Sequence, residues 1–135
     1  MTALPTWLRR ALYATAVMNI GGAIAFLPPA TSLRAVAGLP VDGPPLYLAT
    51  VGMFVLVFGL AYLWTAVRGC SEPLFMALAG GGKIAFFALL VWFWGVGDLP
   101  LRAPILGSAD LVFGSLFLGW LLGGDLRSDP RALSS

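Results

Sequence analysis

Apolar residues run along this chain in four long stretches, parted by short segments rich in proline, glycine and charge. The stretches cover about 7–27, 46–67, 73–97 and 103–122. Each is near the ~20 residues that a helix needs to cross a ~30 Å hydrocarbon core. In the first, Ala11, Thr15, Asn19 and Ala23 recur every four residues with Gly22 beside them, a small and polar stripe on one helix face. In lipid, such stripes let backbones approach and hydrogen-bond across helices. The second carries no charge and sets Gly52, Gly59 and Ala66 seven apart. That spacing suits a left-handed, near-parallel helix contact. Met53, Phe54, Phe58, Tyr62 and Trp64 are expected on its other faces.

The third stretch holds Gly80-Gly81-Gly82-Lys83 and ends in Trp92, Phe93 and Trp94, which fit an interfacial aromatic belt. Adjacent glycines weaken a helix by about 1 kcal/mol each. They are expected either to bend this one or to admit a neighbour. The fourth has Pro104 in its first turn, Gly107, Asp110 and Gly114 on one face, and a G-xxx-G pair at Gly119 and Gly123.

The connections differ in kind. Segment 28–45 holds five of the ten prolines and cannot span. Within it, 30–37 is expected to form two turns of helix lying in the interface, stopped by Gly38, with Leu33, Val36 and Leu39 toward lipid. Segment 68–72 is short, and Pro73 suits a first helical turn, with Ser71 or Glu72 near its cap. From Gly124 to Ser135 the chain is polar and is expected to be a tail.

Composition agrees with a membrane solvent. Of 135 residues, 59% are hydrophobic and 10% charged, against about 25% charged in soluble domains. The net charge of +2 gives no basis for nucleic-acid binding. There is one cysteine, Cys70, and no histidine. Disulfides within the chain, Cys/His zinc sites, histidine-ligated haem and histidine acid–base catalysis are thereby excluded. No catalytic and no metal-ligating residue is assigned. The basic pair Arg9 and Arg10 ahead of the first apolar run is read as flanking a retained span rather than a cleaved signal. Arg9, Arg10, Arg68, Arg127 and Arg131 fall on one side of a four-span layout, and Arg34 and Arg102 on the other. The positive-inside rule then puts both termini in the cytoplasm.

The candidate chemistry is a charge in oil. A lysine at mid-bilayer costs roughly 2.5–3.5 kcal/mol on insertion scales. Asp110 is the one acid inside another apolar run. Lys83 stands about 15 Å in from the start of its span and Asp110 about 10 Å in from the opposite face, at 1.5 Å per residue. The two depths match to within a lysine's reach. Asn19, Lys83 and Asp110 are therefore expected to form one polar cluster, with Gly52, Gly59, Gly80, Gly107 and Gly114 packing the helices around it. Three roles compete for it: a register lock, the polar head of a ligand pocket, or a proton relay. A retinal Schiff base has little room among four spans.

The segments FLPPATSLRAVAGLP, GMFVLVFGLAYL, GKIAFF and DLVFGSLFLGWL give this chain a layout that resembles the small bacterial DoxX-like membrane proteins. That resemblance covers roughly 10–122. It implies a four-helix bundle and, as in some relatives, an accessory subunit of a membrane redox assembly. A more distant similarity, to sterol-isomerase-like four-helix proteins, implies a cavity for lipophilic molecules, but the histidine and the acids of spans one to three are missing here.

The expectation is thus an all-α, polytopic, transmembrane four-helix bundle over 1–123, with a short interfacial helix in the first loop and a polar tail over 124–135. The expected role is an accessory or scaffold subunit of a bacterial inner membrane, partnered by the bilayer and by a second membrane protein or another copy of itself. It needs no cofactor beyond a bound lipid or quinone. A small proton- or ion-coupled transporter is the alternative, and an isomerase-like cavity enzyme the second.

Overall fold

The computed structural model describes residues 2–128. Among them are five helices: α1 (Thr6–Ala25), α2 (Thr31–Ala37), α3 (Pro45–Arg68), α4 (Pro73–Gly95) and α5 (Arg102–Ser128). Two two-residue strands, β1 (Thr2–Ala3) and β2 (Cys70–Ser71), pair antiparallel, a ladder too short to leave a sequence signal. Punctuation sets the helix ends. α3 and α4 begin on prolines, whose missing N–H costs nothing in a first turn. α2 and α3 end on Gly38 and Gly69, with φ of 73° and 69°, a left-handed turn that glycine adopts without strain.

Among the described residues three helices are long and apolar enough to cross a membrane: α3, α4 and α5 as far as Gly124. That is the make-up of a multi-pass membrane protein. α1 is not among them, because Arg9, Arg10, Thr15 and Asn19 dilute its apolar run. The tail expected from Gly124 is instead helical as far as Ser128, and 129–135 lie outside the described residues.

The helices associate in two close pairs, α1 with α3 and α4 with α5. Glycine sets both contacts. A Cβ on Gly52 would come within 3.0 Å of Phe26, and one on Gly59 within 2.9 Å of Ile20 and 3.0 Å of Asn19. In the other pair, Gly80 and Gly114 meet backbone to backbone, since a Cβ on Gly114 would lie 2.9 Å from the Gly80 carbonyl oxygen. Gly107 seats Leu90. Higher numbers on one helix meet lower numbers on its partner, so both pairs are antiparallel. The α4 helix runs without a break through its three glycines, and of these Gly80 admits a neighbour, whereas a Cβ on Gly81 or Gly82 would meet nothing within 4 Å. A Cβ on Gly119 or Gly123 would likewise meet nothing, so the G-xxx-G pair packs against no helix among the described residues.

The two pairs join mainly at one end. Leu8, Leu12 and Ala16 of α1, Tyr62 and Ala66 of α3, Met76 and Ala79 of α4 and Phe117 of α5 form one buried cluster there. Tyr62 was expected on a face other than that of Gly52, Gly59 and Ala66, yet it packs inward with them and only 2% of it is exposed. Outward lie Val17, Phe54, Trp64, Leu74, Trp92 and Val112, a coat of large apolar side chains. On a water-soluble protein so wide an apolar surface would drive association.

Arginines tie the helix ends. Arg34, 1% exposed, gives five hydrogen bonds to four carbonyls: Ala25, Leu27, Pro28 and Val41. It thus satisfies the orphan carbonyls where α1 stops and pins the proline-rich loop across them. Arg9 Nε donates to Ala66 O (3.0 Å) near the end of α3, and Arg102 to Ala35 O (3.0 Å) at the end of α2. A cation beside these carbonyls is also favoured by the helix dipole. Leu33 and Val36 of α2 face outward, whereas Leu39 turns in to line a cavity.

Two outcomes follow for thermal unfolding in detergent. Gly114→Ala must push one backbone from another and is expected to lose about 1–3 kcal/mol, while Gly81→Ala, with open space around it, gains about 1 kcal/mol of helix propensity. Arg34→Lys replaces a planar fork by three donors on a point charge. It strands buried carbonyls at about 1–3 kcal/mol each, so a midpoint unchanged from the parent would refute the staple.

Candidate functional site

The glycine contacts place the polar residues. Because Gly59 lacks a side chain, α1 approaches α3 closely enough for Asn19 Nδ2 to donate to the Val55 carbonyl (3.3 Å). That bond turns the amide oxygen toward α4. Because Gly114 meets Gly80, the Lys83 Cβ is drawn against α5, 3.2 Å from where a Gly114 Cβ would stand. One turn along, Lys83 Nζ donates to Asp110 Oδ1 at 2.6 Å and to Asn19 Oδ1 at 3.3 Å. The structure therefore brings Asn19, Lys83 and Asp110 together, and the ammonium links the two helix pairs.

Sequence reasoning missed the rest of the shell. The Lys83 Nζ lies 5.2 Å from the centroid of the Tyr62 ring and 5.9 Å from that of Phe113. Ring faces attract a cation, and more so where water is scarce. Tyr62 packs in turn against the tilted rings of Phe58, Phe75 and Phe117 at centroid distances of 6.0–6.1 Å. A signal was present. Tyr62 lies three residues after Gly59 and four before Ala66, so it shares their helix face. Phe113 lies three after Asp110.

Lys83 is 5% exposed and Asp110 16%. The difference has a direction, because both line a cavity of about 490 Å³ between the helix pairs. That volume is in the range of small-molecule sites. Its walls are apolar: Met18 from α1 and Phe26 just after its end, Val51, Phe54 and Phe58 from α3, Leu78, Phe86 and Leu90 from α4, and Leu106 from α5. Ala37 and Leu39, at and after the end of α2, lie over it. Asn19, Tyr62, Lys83 and Asp110 are its polar lining. Between the helix pairs the interior is filled by the buried cluster on the strand side of the charged pair and opens into this cavity on the other side, while a separate hollow of about 710 Å³ lies at the strand end between Leu4, Trp7, Leu116 and Trp120.

Of the expected packing glycines, Gly52 and Gly59 serve the α1–α3 contact, and Gly80, Gly107 and Gly114 the α4–α5 contact. Among the described residues no cluster of three or more Cys, Asp or Glu could hold a metal ion.

No protein-family model, no curated protein and no solved structure matches this chain.

The pair makes a sharp thermodynamic prediction. Lys83→Met leaves the carboxylate without its counter-ion, and Asp110→Leu does the same to the ammonium. Each is expected to cost about 3–5 kcal/mol, and the double variant much less than their sum. Unfolding of the four proteins in one detergent completes the cycle, and additive losses would show that the two charges do not depend on each other.

Proposed function

We propose that this chain is a four-span membrane protein that holds the polar head of a lipophilic ligand, a lipid or quinone-like molecule, at the Lys83–Asp110 pair. On this reading it is not an enzyme but an accessory or scaffold subunit. The observation that carries it is the cavity of about 490 Å³, apolar over most of its wall and ending on a charge pair. A register lock alone needs the pair but not the hollow beside it. Close packing would have served a lock better, since cavities of that size cost stability.

α1 is the fourth span in this proposal. Its Thr15 and Asn19 turn inward, and its outer face carries Tyr13, Val17 and Ile24. A mean over the whole helix hides that asymmetry. The four long helices then form one bundle. α2 rests at the interface, with exposed Leu33 and Val36 toward lipid. Four crossings return both termini to one side, the cytoplasmic one of a bacterial inner membrane if the excess of arginine orients the chain. The DoxX-like reading rests on the quoted motifs alone.

A transporter would use the same carboxylate differently. The side chain of Asp110 is partly open to the cavity, which favours this as the second reading. The isomerase-like reading has less in its favour, because the lysine is already engaged by two oxygens.

Purification in a mild detergent, with mass spectrometry of extracted small molecules, tests the proposal. A lipophile is expected to co-purify at near-stoichiometric amount with the parent protein and to fall about tenfold with Asp110→Asn, roughly the loss of one charge-assisted hydrogen bond. A parent protein that carries nothing, yet moves protons when reconstituted in liposomes, would replace the binder by the transporter.

A further inference from the structure

The cavity offers its occupant a defined set of polar atoms. Asp110 Oδ1 is taken by Lys83, and among the described residues Oδ2 has no hydrogen-bond partner. The Tyr62 hydroxyl has none among them either, and Tyr62 lines the same space. One free acceptor and one free phenolic O–H are thus presented beside an ammonium whose charge is already answered at 2.6 Å. The pair is neutral as a unit. A second anion would face the Asp110 carboxylate, and a second cation the Lys83 ammonium. Either would bring an uncompensated charge into an apolar enclosure, which is strongly disfavoured. An uncharged hydroxyl suits both vacant partners, since it donates to Oδ2 and accepts from the phenol.

The cavity also has a side door. The close helix pairs are α1–α3 and α4–α5, and between α3 and α4 the wall is made of side chains that are themselves exposed: Phe54 (56%), Leu78 (58%) and Phe86 (40%). Gly82 lies among them. It lines the cavity, is exposed, and has open space where a Cβ would go. It is therefore unlike Gly80, two residues before it, whose bareness is needed for α5 to approach. Nothing in the packing requires glycine at 82, and its helix propensity argues against it. What its bareness does provide is an open mouth.

Building on the pocket reading above, we infer that the ligand is an uncharged, single-headed lipophile bearing a hydroxyl. The hydroxyl sits at Asp110 and Tyr62, and the chain leaves sideways past Gly82, between α3 and α4, into the bilayer.

Photolabelling of the full chain in nanodiscs tests this with four probes sharing one diazirine-bearing hexadecyl chain. The heads are a primary alcohol, its methyl ether, a carboxylate and a trimethylammonium. The alcohol is expected to label cavity peptides about tenfold more than each of the others, the loss being that of a buried hydrogen bond or more. Gly82→Leu is expected to cut alcohol labelling at least about fivefold while raising the thermal midpoint, because it fills the mouth and removes a helix-weakening residue. A variant that is more stable and still labelled like the parent would overturn the sideways route. Equal labelling by all four heads would overturn the hydroxyl and leave the pocket standing. Absence of labelling in the cavity by any probe would remove the pocket itself.

Discussion

The ammonium of Lys83 cannot be left alone among apolar helices, and most of what is specific in this structure answers that constraint. Its two oxygen partners come from different helix pairs: Asp110 on α5, within its own pair, and Asn19 on α1, in the other. Two aromatic rings, again one from each pair, flank it. Apolar contact between lipid-bathed helices is poorly directional, since lipid tails compete for the same surfaces. A single cation with four fixed neighbours is directional. A buried pair is weak evidence for net stability, but it says which rotation of each helix is allowed. Asp110 and Asn19 can both reach Lys83 only if α1 and α5 turn those faces inward.

The helix ends are governed by the same need to satisfy polar groups. Each helix leaves unpaired carbonyls at its C-terminus, and water is scarce for those near an apolar phase. Arg9, Arg34 and Arg102 are spent on such carbonyls at the ends of α3, α1 and α2. Arg34 is the most committed, for it has no exposed surface to speak of and binds four carbonyls on both sides of the proline-rich turn. A count of arginines by side therefore mixes two things, the orientation of a chain in its membrane and the capping of its helices.

This bears on what could be read in advance. Helix positions were legible where proline and glycine mark them, as at Pro73 and Gly38, while Pro45, placed in the loop, instead opens α3. Asn19, Lys83 and Asp110 were legible because polar groups in apolar runs are few and the depths of Lys83 and Asp110 match. Tyr62 and Arg34 were not read. A tyrosine in an apolar run looks like part of an outer face, and an arginine in a loop looks solvated. Only the path of the chain around Arg34 shows four carbonyls converging on it. The three adjacent glycines of α4 have a single sequence signature and separate environments: Gly80 buried against Gly114, Gly81 and Gly82 in open space. Composition cannot distinguish them, because the difference belongs to the neighbouring helix. The tail was misjudged as far as Ser128 because polarity alone does not end a helix that has already started.

The hollow follows from where the small residues lie. Gly52 and Gly59 draw α3 onto α1, and Gly80 and Gly114 draw α4 and α5 together. Around the cavity large side chains such as Phe54, Phe58 and Phe86 are interspersed with small ones such as Gly22, Ala79, Gly82 and Ala103, and among the described residues no glycine there brings α1 or α3 against α4 or α5. Small residues in contact let two helices approach. Had the glycines been placed between the pairs, the same composition would have closed the centre. Beyond the cavity the tilted rings of Tyr62, Phe75 and Phe117 fill the gap between the pairs, so the opening stops at the polar cluster. The charged pair thus sits where the filled interior between the helix pairs meets the open cavity. There Lys83 holds one oxygen of the Asp110 carboxylate, and the side chain remains partly exposed along the wall of the cavity.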